Sequence, residues 1–370
     1  MVAMSIRDEV RDAPAYVFRT WPHRVKLDQN EAPEDLAPAL RERVLARLRE
    51  VDWHRYPELR AHTVAQAIAA RDGWDRAGVV VAPGSNVLIQ ALVIAAGLGR
   101  RVLTVAPTFA VYASQARLLG VELTEVPLLA GGFGLDVEAM TRELRRGPGV
   151  LFLADPAAPT GNRLDDDAVA DVLEAASRHD WTAVIDEAYW PYAGRHRLDE
   201  IRDRPDRLAL RTFSKADALG GVRLGYALAH PDTAQQVGKV LLPFDVSALQ
   251  AAVAEVVLGD PEAASARERR IETARRERER VRAALAAHPE VTVYPSVTNF
   301  VLFRVPDAQA VHQAFLDEGI LVRRQDHLPG LAGCLRVTVG SEADDDAFLA
   351  AVPTALPAGR QADAREVARG

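Results

Sequence analysis

Lys215 closes the segment Arg211-Thr212-Phe213-Ser214-Lys215, and Gly220, Gly221 and Arg223 follow shortly. A primary amine can condense with an aldehyde. Two small hydroxyls and a guanidinium can hold a phosphate. Pyridoxal 5′-phosphate carries both groups, with Lys215 as the Schiff-base lysine and Thr212, Ser214 and Arg223 on the phosphate. The neighbours separate this lysine from an ordinary surface charge. Leu208-Ala209-Leu210 before it and Leu224-Gly225-Tyr226-Ala227-Leu228 after it read as buried strands.

Asp186 ends the apolar run Val184-Ile185-Asp186. A carboxylate at the carboxyl end of a parallel strand is placed for ligand contact. Against a pyridine nitrogen it would keep the ring protonated, which makes the ring an electron sink. A helix cap or local ion pair is the alternative. Tyr189 could donate to the ring's phenolic oxygen, or simply fill a wall. Gly84-Ser85-Asn86 reads as a turn into a helix N-terminus, where free backbone N–H groups suit a phosphate. Tyr112 could stack on the cofactor ring or belong to the core. Arg336 lies in the apolar run Leu335-Arg336-Val337 and needs an anionic partner, either a substrate carboxylate or an internal Asp or Glu. Arg323 and Arg324 add cations that suit a second anionic group or a solvated surface pair.

These residues need a frame that brings distant segments together. Strands are expected at 79–81, 101–105, 122–126, 149–153 and 182–185. Helices alternate with them, one capped by Ser85, one opened by Pro107 and Thr108, one begun by Asp165-Asp166-Asp167. The alternation predicts an α/β fold: a three-layer α/β/α large domain with a mostly parallel sheet, spanning 36–245. Residues 262–287 read as a long solvated helix laced with ion pairs. Short strands near 292–294, 300–303 and 335–339 predict a smaller α+β domain over 246–356. The arm, 1–35, packs on that domain, and the tail, 357–370, reads as disordered.

Composition narrows the function. The net charge of −7 gives no general attraction to nucleic acid or anionic membrane. No apolar run approaches a membrane span and no secretory signal opens the chain, so a cytoplasmic location is expected. A single cysteine excludes an internal disulfide. The nine histidines show no ligand spacing, so no metal is expected.

Several pieces carry a family resemblance in their order and spacing. They are Lys26 to Glu31, Arg55 to Glu58, Pro83 to Asn86, Pro107 to Tyr112, Asp186 to Tyr189, the Lys215 segment, Thr298-Asn299-Phe300 and Gly333 to Gly340. Together they resemble the class I/II, fold-type-I pyridoxal-phosphate aminotransferases and, among them, the histidinol-phosphate aminotransferases. The resemblance implies that Lys215 shuttles the proton, Asp186 faces the pyridinium and Tyr112 stacks on the ring. It adds Ser85 and Asn86 to the phosphate cup. It implies a homodimer in which Tyr56 reaches the neighbouring subunit's cofactor. Arg323 and Arg336 would face a substrate phosphate, Arg336 would also take the carboxylate of glutamate, and Asn30 and Tyr16 would fold over the substrate. Threonine-phosphate decarboxylation, transamination of aromatic or other amino acids, and a cofactor-binding regulatory module are the rival readings.

One position departs from the family. Asparagine usually precedes Pro-Thr-Gly and contacts the phenolic oxygen, whereas Ala158 stands here before Pro159-Thr160-Gly161. Losing such a charge-assisted hydrogen bond costs about 1.5–3 kcal/mol of phenolate stabilisation. The Schiff base should therefore titrate higher than in a relative with asparagine. Absorbance titration of the holoenzyme checks this: Ala158→Asn should lower the midpoint, and an unmoved midpoint contradicts the reading.

Overall fold

The computed structural model describes residues 5–15 and 21–356. Its strands, in chain order, are β1 (Val25–Lys26), β2 (Val79–Ala82), β3 (Arg101–Ala106), β4 (Glu122–Pro127), β5 (Gly149–Ala154), β6 (Thr182–Asp186), β7 (Arg207–Thr212) and β8 (Gly225–Ala229). Then come β9 (Thr292–Val293), β10 (Phe300–Arg304), β11 (Ile320–Leu321), β12 (Arg323–Arg324) and β13 (Cys334–Thr338). The seven-stranded sheet has the order β2-β8-β7-β6-β5-β3-β4. Only β8 runs against the others, pairing antiparallel with both β2 and β7. The expected α/β architecture with a mostly parallel sheet is observed.

Strand alternation divides this sheet into two buried faces. One face carries Leu151, Leu153, Ala183, Ile185 and Ala209, packed with helices His62–Asp72, Asp166–Arg178 and Ala248–Gly259. The other carries Val150, Phe152, Val184, Leu208 and Leu210, packed with helices Ser85–Leu92 and Val111–Leu119. Apolar residues on both faces explain why these strands read as continuous hydrophobic runs.

The second sheet has the order β12-β13-β10-β9. It carries its own core, including Val301, Phe303, Phe315, Leu335, Val337 and Phe348. The N-terminal arm reaches this region: β1 pairs parallel with β11, Val25 opposite Ile320.

Several local expectations are corrected. Helix Ser85–Leu92 is capped by Gly84, at φ +98°, and Ser85 is its first residue. That backbone geometry suits glycine and leaves the Ser85 hydroxyl out of the cap. The helix expected from Pro107 begins at Val111. Proline biases its predecessor toward extended backbone, so β3 runs to Ala106 and residues 107–110 form the turn. The long helix, Pro261–Ala286, is not a solvated rod, because Arg270, Glu277 and Arg278 are buried. Its Ala263 packs in the large-sheet core, Ile271 and Ala274 beside Tyr189 and Phe300, and Val281 and Leu285 in the second core. Val253, Ala254 and Val257, which follow residue 245, also pack in the large-sheet core.

Helix Glu342–Ala355 contains Asp345, fully buried, with one carboxylate oxygen accepting the Gly340 N–H at 3.0 Å and the other without a partner. Burial pushes this carboxyl up to about 7, Glu277 and Asp344 add to the rise, and the Gly340 N–H and Arg280 oppose it. An acid held higher in the folded state stabilises the fold below its unfolded value, and that contribution is lost as pH climbs to the folded value. For Asp345 the window runs from about 4 to about 7, and the full loss is on the order of 2–4 kcal/mol. Removing the charge forfeits about 0.3–1 kcal/mol of helix-dipole attraction, the smaller effect. Asp345→Asn should therefore melt higher than the wild type at pH 8, with the gain gone by pH 5. Identical pH dependence of the two melting points would contradict this.

Candidate active site

Asp186 ends β6, and its side chain is buried. One carboxylate oxygen accepts the Tyr112 hydroxyl at 2.7 Å and the other accepts the Ala188 N–H at 3.1 Å. Among the described residues no cation pairs with it. Burial raises its affinity for a proton, the neighbouring Glu187 charge adds to this, and the two hydrogen bonds oppose it. Tyr112 is not open to a cleft, as a stacking role would require. It is fully buried, stacked on Phe152 with ring centroids 4.8 Å apart and planes 7° from parallel. Burial, and the Asp186 charge beside it, push its hydroxyl well above the usual range.

The connection from β7 to β8 brings the small hydroxyls and Arg223 together. The Ser214 N–H donates to Thr212 Oγ1 at 3.1 Å. Arg223 Nη1 donates to Ser214 Oγ at 3.3 Å and to the Gly220 carbonyl at 2.9 Å. Arg223 has φ +62°, a left-handed conformation that costs about 1–2 kcal/mol and turns the side chain back over the loop. A Cβ added to Gly84 would lie 3.0 Å from Arg223 Nη2, and one on Gly225 would lie 2.3 Å from the Ser85 nitrogen. The helix N-terminus at Ser85 therefore borders the same cluster, with Ser85 half-buried and Asn86 exposed. Lys215 is half-buried, and its Nζ donates to the Gln29 carbonyl at 2.9 Å.

The arm and the second sheet close the other side. Asn30 is buried at φ +53°, its amide nitrogen donating to the Tyr189 hydroxyl at 2.9 Å. Its own N–H donates to Thr338 Oγ1 at 2.9 Å, and Asn299 Nδ2 donates to its carbonyl at 3.2 Å. Tyr189 lies edge-on to Phe300 and in one cluster with Ala158. Arg336 donates to the Asp28 carbonyl at 2.8 Å and sits over the Phe300 ring at 5.2 Å. Its Nε has no hydrogen-bond partner, and among the described residues no carboxylate forms an ion pair with it. Arg323 lies directly across from it in the β12–β13 register. Burial, with the Arg323 charge adding, makes the Arg336 guanidinium a stronger acid than usual. The internal ion pair offered as the alternative for Arg336 is thus not formed among the described residues.

One expected residue stands apart. Tyr56 is 84% exposed and stacks on Phe244 at 5.0 Å, away from these clusters. Tyr16 lies outside the described residues. Three contributors carried no expectation of their own. Gln29 acts through a carbonyl that any residue would supply. Asn299 and Thr338 stand in segments whose order pointed to the family, without a role attached.

The site has a buried carboxylate lacking a cation at one end. At the other it has hydroxyls, a helix N-terminus and an arginine that, among the described residues, bonds only to neutral oxygens. A lysine amine lies on the same strand connection. This fits a molecule with a protonated ring nitrogen and a phosphate, and defines the class of pyridoxal-phosphate enzymes that use lysine. Comparison with known proteins agrees. Residues 22–352 match the family model described as aminotransferase class I and II. A histidinol-phosphate aminotransferase from Deinococcus radiodurans is 46% identical over 348 residues, covering 94% of this chain and 95% of the relative. The solved histidinol-phosphate aminotransferase of Sinorhizobium meliloti, in complex with pyridoxal-5′-phosphate, superposes with a TM-score of 0.82 at 24% identity, covering 96% of this chain and 98% of that one. The L-threonine-O-3-phosphate decarboxylase of Porphyromonas gingivalis superposes with a TM-score of 0.74 at 24% identity, covering 89% and 98%. The chain belongs to the class I and II aminotransferases, and its cofactor is pyridoxal phosphate.

Proposed function

We propose that the enzyme exchanges the amino group of histidinol phosphate for the oxo group of 2-oxoglutarate, giving imidazole acetol phosphate and glutamate, in either direction. The identity of 46% to a histidinol-phosphate aminotransferase across nearly both chains supports this. The observation that carries the substrate class is Arg336, which has no carboxylate partner among the described residues and lies across the strand register from Arg323. Two neighbouring guanidinium groups suit a dianionic phosphate, and Arg336 can take the α-carboxylate of glutamate.

Bound pyridoxal phosphate supplies an aldehyde that accepts the amino group and a protonated ring that takes up electron density. Asp186 holds the ring-nitrogen proton. Ser85, Asn86, Thr212, Ser214 and Arg223 hold the phosphate, with the helix N-terminus adding N–H donors. Tyr189 accepts from Asn30, so its own proton is free for an acceptor in the site. Tyr112 takes a positioning role on Asp186, and its ring must move if it is to stack. Lys215 Nζ takes the proton from the substrate carbon bearing nitrogen and returns it on the cofactor side. The arm shapes this end of the site by setting Gln29 O against that amine.

The organisation around the site belongs to the same proposal. The large domain extends through 259 and the long helix crosses to the small domain, which the arm joins through β1. Tyr56 serves the partner's site in a homodimer; its exposure, with its ring stacked on the exposed Phe244, supports this. The location is the cytoplasm. Among the described residues no helix is long and apolar enough to cross a membrane.

The test is to mix the holoenzyme with histidinol phosphate and a panel of amino acids. Histidinol phosphate and glutamate should bleach the visible cofactor band, and Lys215→Ala should retain cofactor while losing about 10⁴-fold in turnover. Bleaching only by other amino acids, CO₂ release from threonine phosphate, or full activity of Lys215→Ala would contradict the assignment.

A further inference from the structure

The two faces of the large sheet carry different chemistry at its carboxyl edge. Asp186 and Thr212 point to the face that holds Tyr112 and Phe152, since Asp186 and Leu210 are register partners and Thr212 lies two residues beyond Leu210. One residue away on each strand, Glu187 and Arg211 point to the opposite face, and so does Asp155, which follows β5. All three are buried.

These side chains join. Arg211 Nε donates to Glu187 Oε2 at 2.9 Å. Glu187 Oε1 accepts the Arg197 N–H at 2.5 Å, and the Arg197 guanidinium pairs with Asp155. Asp155 also accepts the Leu164 N–H at 3.0 Å. Arg211 reaches Asp72 at 3.1 Å at the end of helix His62–Asp72, and Arg71 pairs with Asp217 at 3.1 Å, two residues past Lys215. Backbone bonds run alongside: Asp155 N–H to Asp186 O at 3.0 Å and Glu187 N–H to Leu210 O at 2.8 Å.

We infer that the Glu187–Arg211 pair is a positioning device for cofactor binding. It holds the turn that carries Asp186 and Tyr189 to the strand that ends in Thr212, from the side of the sheet the cofactor does not touch. Burial makes the pair demanding: without Arg211 the Glu187 carboxylate would be left in the core with no paired cation among the described residues, and without Glu187 the Arg211 guanidinium would keep Asp72 as its one carboxylate there. Its reach is specific: Glu187 adjoins the carboxylate, Arg211 adjoins the phosphate cup, and Asp155 begins the loop that carries Ala158. The substrate arginines stand on the second sheet, outside this linkage. This inference rests on the pyridoxal-phosphate reading above.

The test compares full-length wild type, Glu187→Gln and Arg211→Lys. Cofactor affinity is read by titrating pyridoxal phosphate into the apoenzyme, and melting points of the apoenzymes are read alongside. Positioning predicts an affinity loss of about tenfold or more and a lower kcat for Glu187→Gln, with KM for the phosphorylated substrate unchanged. Arg211→Lys, which keeps the charge but loses the planar fork, should recover part of that affinity. A melting point that falls while cofactor affinity and kcat hold would reduce the pair to a structural role and overturn the inference. If Glu187→Gln fails to fold, Arg211→Lys decides by the same readouts, and wild-type affinity in it overturns the inference. A wild type that does not take up pyridoxal phosphate would instead sink the cofactor reading itself, and the inference with it.

Discussion

A carboxylate buried at the end of β6, with two hydrogen bonds and no paired cation, is the constraint around which this site is organised. Desolvating a charge costs several kcal/mol unless a counter-charge or hydrogen bonds offset it. Among the described residues Asp186 receives only the Tyr112 hydroxyl and one backbone N–H, and burial raises its proton affinity. A protonated ring nitrogen placed against it would supply a cation, and the carboxylate would then favour the protonated ring. What serves chemistry in the holoenzyme is a local cost in its absence, and the surrounding sheet must hold the carboxylate in place.

The sheet does so by alternation. Successive residues point to opposite faces, so a strand end can present a functional group on one side and a fastening on the other. Asp186 beside Glu187, and Thr212 beside Arg211, use the two sides differently. The arm completes the other half of the site. Residues 28–30 touch Arg336, Lys215 and Tyr189 in turn, through two carbonyls and one amide. The left-handed backbone of Asn30 and its bond from Asn299 fix that segment against the second sheet.

Candidate site residues stand out in the sequence where side-chain type and strand pattern coincide. Asp186 stood out because it interrupts an apolar run, and Lys215 because it joins two such runs. Pattern alone could not place Tyr112, since an aromatic on an amphipathic helix packs a core or lines a cleft with the same spacing. Gln29 left no signal because its carbonyl does the work. The expected boundary between 245 and 246 does not follow the packing: Val253, Ala254 and Val257 are apolar on a helix that still covers the large sheet. In the long helix, the charged residues hid a sequence of apolar contacts that passes from one core to the next. Asp345 also gave no sign, because a buried acid in a helix's first turn looks like ordinary dipole complement.

On the proposed reading, Asp186 would keep a proton on the cofactor's ring nitrogen. Nitrogen NMR of the holoenzyme, reconstituted with pyridoxal phosphate labelled at that atom, reads the protonation state directly. A protonated nitrogen is expected at pH 8, and its loss in Asp186→Ala. An unprotonated nitrogen in the wild type at that pH, or one that does not respond to the substitution, would contradict it.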